Sequence, residues 1–335
     1  MWRFFELMPV LKQENIVSLG EGGTPLLHAT NLGKHLGLKN LYIKDEGMNP
    51  TGSFKARGLS AAVSKAKEVS QMRVTMPTAG NAGGALAAYA ARGGLESHVF
   101  MPKDAPEANK KECKILGTNL SLVDGLIGDA GRISQDKAEK EGLFDLSTLR
   151  EPYRAEGKKT MALELAMDLG WQAPDAIIYP TGGGTGIVGM WKAFQELQDL
   201  GWIDSPQPKF ISIQAEGCQP IVKAFTDGTQ QAEPWTNAST IAHGIRVPSV
   251  FADYIILRVI QETGGTALAV TDSEMVEAMV ELGSTEGIFA CPEGAATLVG
   301  LKRLLKENYF DSTDTIILMN TGSGLKYLDL VDGIS

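Results

Sequence analysis

From residue 73 onward the chain repeats one pattern: a short apolar run, a turn containing glycine, and a stretch long enough for a helix. Runs at 73–76, 98–101, 119–123 and 143–144 read as strands, with helices at 83–92, from near Pro106, and at 129–141 closed by Gly142. A second series follows. Helix 156–169 ends at Gly170, and strands 176–179, 210–214, 266–270 and 315–319 alternate with helices 187–199, 218–227 and 294–307. Thr271-Asp272-Ser273-Glu274 is a capping box for a helix through Leu282. Alternation at this spacing demands parallel sheets joined by helical crossovers, so the fold class is α/β. At 335 residues the chain exceeds what one core supports, and two doubly wound domains with mostly parallel sheets are expected. Their boundaries are read as 1–55 with 151–335 for the larger and 56–150 for the smaller.

Ligands of such folds gather at the C-terminal ends of strands, and three glycine-rich turns stand there. Thr78-Ala79-Gly80-Asn81-Ala82-Gly83-Gly84 is uncharged and opens a helix. Its backbone amides suit an anion such as a carboxylate, and Asn81 adds one directed bond; a plain tight turn is the alternative. Thr181-Gly182-Gly183-Gly184-Thr185-Gly186 lacks bulky side chains, so its backbone can wrap a phosphate monoester. Asn320-Thr321-Gly322-Ser323-Gly324 ends the last strand and offers hydroxyls to a helix or to a ligand ring. Gly184-x-Gly186-x-x-Gly189 also satisfies the dinucleotide fingerprint, with Glu216 as a late candidate for the ribose, which keeps a nicotinamide oxidoreductase as a remote alternative. A phosphate-loop ATPase is excluded, because no Gly-Lys-Ser/Thr follows the glycines.

A fourth feature lies upstream. Residues 44–58 pass from the apolar run Leu41-Tyr42-Ile43 through Gly47, Asn49, Pro50 and Gly52 to Ser53, a cap for the helix that follows. Lys55 then falls in the first helical turn, where the dipole already supplies about half a positive charge. Either its amine points away and stays solvated, or it is kept neutral for chemistry, as Schiff-base lysines are.

Composition limits the rest. A net charge of −9 without a basic block argues against nucleic acid, and no apolar run reaches the roughly 20 residues of a membrane helix. The N-terminus does not read as a signal peptide, and Cys113, Cys218 and Cys291 fit reduced thiols of a cytoplasmic protein. His28, His35, His98 and His243 have no metal-ligand spacing, so no metal is expected, and the role of His243 stays open. With only four histidines and three cysteines, hard chemistry falls to a cofactor.

The stretches Asn49–Lys55, Thr78–Asn81, Pro180–Gly186 and Asn320–Gly324 resemble the motifs of fold-type II pyridoxal-phosphate enzymes, whose fold is tryptophan synthase β-like. Within that family, Glu151-Pro152-Tyr153-Arg154-x-Glu156-Gly157-Lys158-Lys159-Thr160, Gly244–Pro248 and Pro292–Ala296 resemble the threonine synthases, particularly their plant-like branch. The resemblance runs nearly the whole chain. It implies pyridoxal 5'-phosphate bound covalently to Lys55, its phosphate held by Gly182, Gly183, Gly184, Thr185 and Gly186, its ring hydroxyl by Asn81 and its ring nitrogen by Thr321. It implies a substrate carboxylate seated on Thr78, Ala79, Gly80 and Asn81, and a substrate γ-phosphate held by Arg154 with Lys158 or Lys159. Arginine's planar fork suits that dianion.

The implied reaction is a β,γ-replacement by a carbon–oxygen lyase acting on phosphates. Lys55 removes a Cα and then a Cβ proton of O-phosphohomoserine, phosphate leaves from Cγ, and water adds at Cβ to give threonine. A sister enzyme, a threonine or serine ammonia-lyase or a cysteate synthase, is the alternative. Ala82 and Leu149 stand where some relatives have hydroxyl or polar residues. A homodimer is implied, with a smaller domain that moves on substrate, and no activation by S-adenosylmethionine is expected.

Overall fold

The computed structural model describes residues 1–332, so 333–335 of the expected larger domain lie outside the described residues. In chain order come β1 (Leu26–His28), α1 (Thr30–Leu36), β2 (Asn40–Asp45), α2 (Lys55–Glu68), β3 (Arg73–Pro77), α3 (Asn81–Gly93) and β4 (Glu96–Pro102). There follow α4 (Glu107–Ile115), β5 (Asn119–Val123), α5 (Ile127–Glu141), β6 (Phe144–Asp145), α6 (Tyr153–Asp168), β7 (Ala176–Pro180) and α7 (Thr185–Asp199). The chain closes with β8 (Lys209–Ala215), α8 (Pro220–Thr226), α9 (Asp253–Glu262), β9 (Thr266–Val270), α10 (Asp272–Glu286), α11 (Pro292–Lys306) and β10 (Thr315–Asn320).

The expected alternation is present throughout, with two additions, one changed cap and two shifted helix starts. Helix α9 and the short antiparallel strand β1 are absent from the sequence reading. Ser53 was expected to cap α2, but Phe54 is the N-cap residue and makes no side-chain cap bond; the Ser53 hydroxyl only accepts from the Lys55 N–H, at 3.4 Å. Helices α3 and α6 begin a few residues before the expected 83 and 156, because glycines and a proline do not exclude a helix's first turn.

The chain forms two compact units. One holds Met1–Gly23 and Asn49–Met161, the other Thr24–Met48 and Ala162–Ser335. The expected division was 1–55 with 151–335 against 56–150, so Lys55 and Arg154 both group with the four-stranded sheet. The cause is packing of α2 on the start of α6. Glycine lets the two helices touch: a Cβ on Gly157 would lie 2.2 Å from the Arg57 carbonyl oxygen, and one on Gly58 would lie 2.9 Å from that of Arg154. Arg57, fully buried, donates from Nη1 to the Thr160 hydroxyl at 3.0 Å across the same seam.

The first unit has strand order β5-β4-β3-β6, all parallel. The chain runs outward from β3 to β5 and then returns beside β3 at β6. That reversal opens a crevice where β3 and β6 end, and the turn Thr78–Gly80 leaves one strand while the Arg154 segment leaves the other. Its core gathers Leu59, Val63, Val74, Met76, Leu86, Tyr89, Val99 and Met101.

The second unit has order β1-β2-β10-β7-β8-β9, parallel except for β1. Its reversal lies between β7 and β10, whose register pairs Leu318 with Ile178. Three residues further along each strand begin the turns at Thr181 and Thr321. Its core includes Ile43, Ile178, Ile211, Ile213, Leu298, Leu301, Ile316 and Leu318. Among the described residues no helix is long and apolar enough to cross a membrane, and none of the groups of His, Cys, Asp and Glu could hold a metal.

Candidate active site

In the first unit Lys55 opens α2, as expected, and the Phe54 ring ties it to α6. The Lys55 ammonium lies 3.9 Å from the ring centroid and the Lys158 ammonium 4.7 Å from it. Lys158 is fully buried, and a Cβ on Gly58 would sit 3.1 Å from its Cε. Burial pushes the Lys158 ammonium well below the ordinary lysine range; Arg154 and Lys55 nearby push the same way, and Glu151 opposes them. Of the two lysines of this segment, Lys159 instead pairs with Glu156 at 2.7 Å.

Arg154 is 2% exposed. One terminal nitrogen, Nη1, donates to the Leu146 carbonyl at 2.8 Å, and Nε has no hydrogen-bond partner among the described residues. Leu149 holds φ of 58°, a left-handed conformation uncommon for leucine, in the loop that carries the chain from Leu146 round to Arg154. Glu151 accepts the Arg154 backbone N–H at 3.0 Å through Oε2, and its Oε1 is buried without a hydrogen-bond partner. Burial raises its pKa, against the opposing effect of Arg154.

The turn after β3 is held by Thr78, whose hydroxyl accepts the Gly80 N–H at 3.1 Å. Asn81 begins α3 with Oδ1 buried and without a hydrogen-bond partner. Beneath the turn lies Asn109 of α4, fully buried, neither side-chain amide atom having a hydrogen-bond partner; its Nδ2 is 3.1 Å from where a Cβ on Gly80 would stand. The structure therefore places Lys55, Thr78, Ala79, Gly80, Asn81, Arg154 and Lys158 in one unit.

Gly182, Gly183, Gly184, Thr185, Gly186 and Thr321 belong to the second unit. No side chain fits at Gly182, Gly184 or Gly186 of the first of these turns. A Cβ on Gly186 would lie 1.8 Å from the Tyr179 hydroxyl, one on Gly182 2.7 Å from the Gly244 carbonyl, and one on Gly184 2.2 Å from Ile256; Gly184 also has φ of 79°. The turn opens α7, whose first N–H groups have no partner within the helix. Thr321 is buried with its hydroxyl 3.9 Å from the Cys291 sulfur. Asn320 is fixed by donating to Asp45 Oδ1 at 2.8 Å. Burial raises the Cys291 thiol well above its ordinary value, aided by Glu293, so a neutral group neighbours Thr321. Glu293 Oε1 accepts from the Gly244 N–H at 2.7 Å and the Tyr327 hydroxyl at 2.8 Å, which fixes the backbone beside His243.

These features fit pyridoxal phosphate on their own terms. In the second unit a glycine-lined backbone turn at a helix N-terminus suits a phosphate, and buried Thr321 suits a neutral ring atom; in the first unit, taken by itself, the orphaned Asn81 Oδ1 needs a donor. Sequence reasoning overlooked Phe54, Glu151, Asn109 and Tyr179. Only glycines inside helical stretches, Gly58 and Gly157, could have signalled the seam, since an isolated helical glycine often marks close packing.

Comparison with known proteins gives concordant results. Residues 17–322 match the family described as pyridoxal-phosphate dependent enzyme. A threonine synthase of Methanocaldococcus jannaschii is 41% identical over 97% of this chain and 80% of its own length. One of Halalkalibacterium halodurans is 35% identical over 96% of this chain and 87% of its own length. In fold, the chain is similar to the processed form of threonine deaminase isoform 2 from Solanum lycopersicum, with a TM-score of 0.79, 21% identity, and 98% and 93% of the two chains covered. Maize serine racemase gives a TM-score of 0.76 at 22% identity, covering 93% and 92%.

Proposed function

The chain belongs to the pyridoxal-phosphate dependent enzyme family, and within it to the threonine synthases, and on that premise we propose that it converts O-phosphohomoserine and water to L-threonine and phosphate. The observation that carries the substrate is the pair of buried cations, Arg154 and Lys158, beside Lys55. Burying two cations costs several kcal/mol, about 3–5 for one left uncompensated, and a dianionic substrate would offset it. A serine or threonine substrate carries no such anion.

In this reading Gly182, Gly183, Gly184, Thr185 and Gly186 would hold the cofactor phosphate through backbone amides, Thr321 would meet the ring nitrogen and Asn81 the ring hydroxyl. When bound, the cofactor withdraws electrons from the substrate's amine-bearing carbon. Lys55 would anchor it, and its amine, when free, would move a proton from the substrate's Cα and then from Cβ. Thr78, Ala79, Gly80 and Asn81 seat the carboxylate and fix the Cα–H bond toward Lys55. Arg154 and Lys158 bind the γ-phosphate and hold Cγ at the place where its C–O bond must break. The six-stranded unit serves as the cofactor-phosphate domain and the four-stranded unit as the substrate domain. We read the protein as a cytoplasmic homodimer, which light scattering of the purified protein would test.

The deciding experiment is phosphate release from O-phosphohomoserine by protein carrying the cofactor. Stoichiometric threonine and phosphate are expected. Deamination of serine or threonine without phosphate release from O-phosphohomoserine would replace this reading with the ammonia-lyase one.

A further inference from the structure

Departure of phosphate from Cγ has a proton requirement that Lys55 does not meet. A phosphomonoester dianion that loses its carbon leaves as a trianion unless its bridging oxygen gains a proton. Lys55 takes protons from carbon, and Arg154 keeps its own. Two acids remain beside Arg154, the Lys158 ammonium and the Glu151 carboxyl, since Glu156 of the same segment pairs with Lys159 at 2.7 Å; Lys158 is assigned to binding the γ-phosphate, which leaves Glu151. It is 5% exposed, one carboxyl oxygen accepts the Arg154 N–H at 3.0 Å, and the other is buried without a hydrogen-bond partner.

We propose that Glu151 is the general acid for phosphate departure, an inference that rests on the threonine synthase reading above. As the Cγ–O bond breaks, its electron pair stays with oxygen and the Glu151 proton forms the new O–H bond, so hydrogen phosphate leaves and a carboxylate remains. When water forms the C–O bond at Cβ it gives up one proton, which returns to that carboxylate. The exchange balances: water's hydroxyl goes to Cβ and its proton, by way of Glu151, to phosphate. The setting suits both halves. Burial raises the Glu151 pKa, so the carboxyl holds its proton to higher pH than an ordinary glutamate. The charged groups around it are Arg154 and Lys158 of α6, which lower its pKa, with Asp145 at the end of β6 acting on Arg154 and Lys55 of α2 acting on Lys158. Those cations stabilise the carboxylate once the proton has gone. An approaching phosphate dianion favours the protonated acid beforehand.

Glu151→Gln keeps an oxygen for the Arg154 N–H and replaces the ionisable carboxyl O–H with an amide that cannot give up a proton. With holoenzyme we expect kcat for phosphate release to fall about 10²–10⁴-fold, with KM, cofactor absorbance and melting temperature unchanged. The alkaline limb of the kcat profile should vanish, and Glu151→Asp should retain part of the rate and that limb. Glu151→Gln with wild-type kcat and an unchanged alkaline limb would overturn the inference and leave the function standing. So would an alkaline limb abolished by Lys158→Gln but not by Glu151→Gln. A wild-type enzyme that releases no phosphate from O-phosphohomoserine would overturn the function, and the inference with it.

Discussion

Two regions of this molecule, the seam between α2 and α6 and the turn Thr181–Gly186, are both suited to a phosphate, and they are built from opposite materials. The seam uses side chains: Arg154 and Lys158 are buried with a charge or a perturbed pKa, and the Phe54 ring spaces Lys158 from Lys55. The turn has no charged residue and offers backbone N–H groups in a shape that Tyr179, Ile256 and Gly244 leave open only to glycine. Fixed dipoles suit a group that stays bound through turnover. Charged side chains suit one that arrives, reacts and leaves, since their free energy depends strongly on what is beside them.

The contrast can be broken in steps. The largest effect belongs to Lys55→Ala, which should lower turnover by about 10³-fold or more and abolish the borohydride-stable label of cofactor on protein. Labelling at another lysine would relocate the reactive amine. Arg154→Ala comes next: losing charged hydrogen bonds worth about 1.5–3 kcal/mol each should raise KM by roughly 10–100-fold while cofactor affinity holds. Arg154→Lys should recover little of it, because a point charge cannot replace the fork; full recovery would mean that charge alone is read. Gly186→Ala should do the reverse. With its Cβ 1.8 Å from the Tyr179 hydroxyl, overpacking of about 1–3 kcal/mol should weaken cofactor binding about tenfold or more, and Tyr179→Phe in the same chain should restore part. Equilibrium dialysis of cofactor separates the two, and equal losses of cofactor in both variants would erase the distinction.

The smallest effect concerns stability. Because Lys158 binds its proton less tightly when folded than its ordinary value of 10.5, the unfolded chain holds more protons between those two values and stability rises with pH there. Lys158→Met should therefore stabilise the cofactor-free protein by about 1 kcal/mol or more near neutral pH, with the gain fading as pH approaches the ordinary lysine value. A gain independent of pH would show that packing, not charge, is responsible.

Much of the turn was legible in the sequence, and little of the seam. Strand, glycines and helix start lie within eleven residues at 176–186, so local chemistry reports them. Lys55 was visible for the same reason, as a cation misplaced at a helix start. The seam joins residues far apart, and neither Gly58 nor Gly157 names its partner. Glu151 is a single residue whose burial, not its identity, makes it unusual. Helix α9 went unread because Asp253–Glu262 follows a long stretch rich in turn formers, and the capping residues that marked α10 are missing there.

The Arg57–Thr160 bond joins residues 103 apart in the chain. Closing a loop of that length costs entropy that is repaid only when the intervening strands have paired. Helices α2 and α6 should thus form early as separate segments and dock last. Lysine, arginine and glutamate are then still in water while the sheet assembles, and lose their hydration in the step that completes the fold. The two glycines at the seam therefore bear on the end of folding: a Cβ there would obstruct a late docking event, leaving a chain with native strands and no competent site.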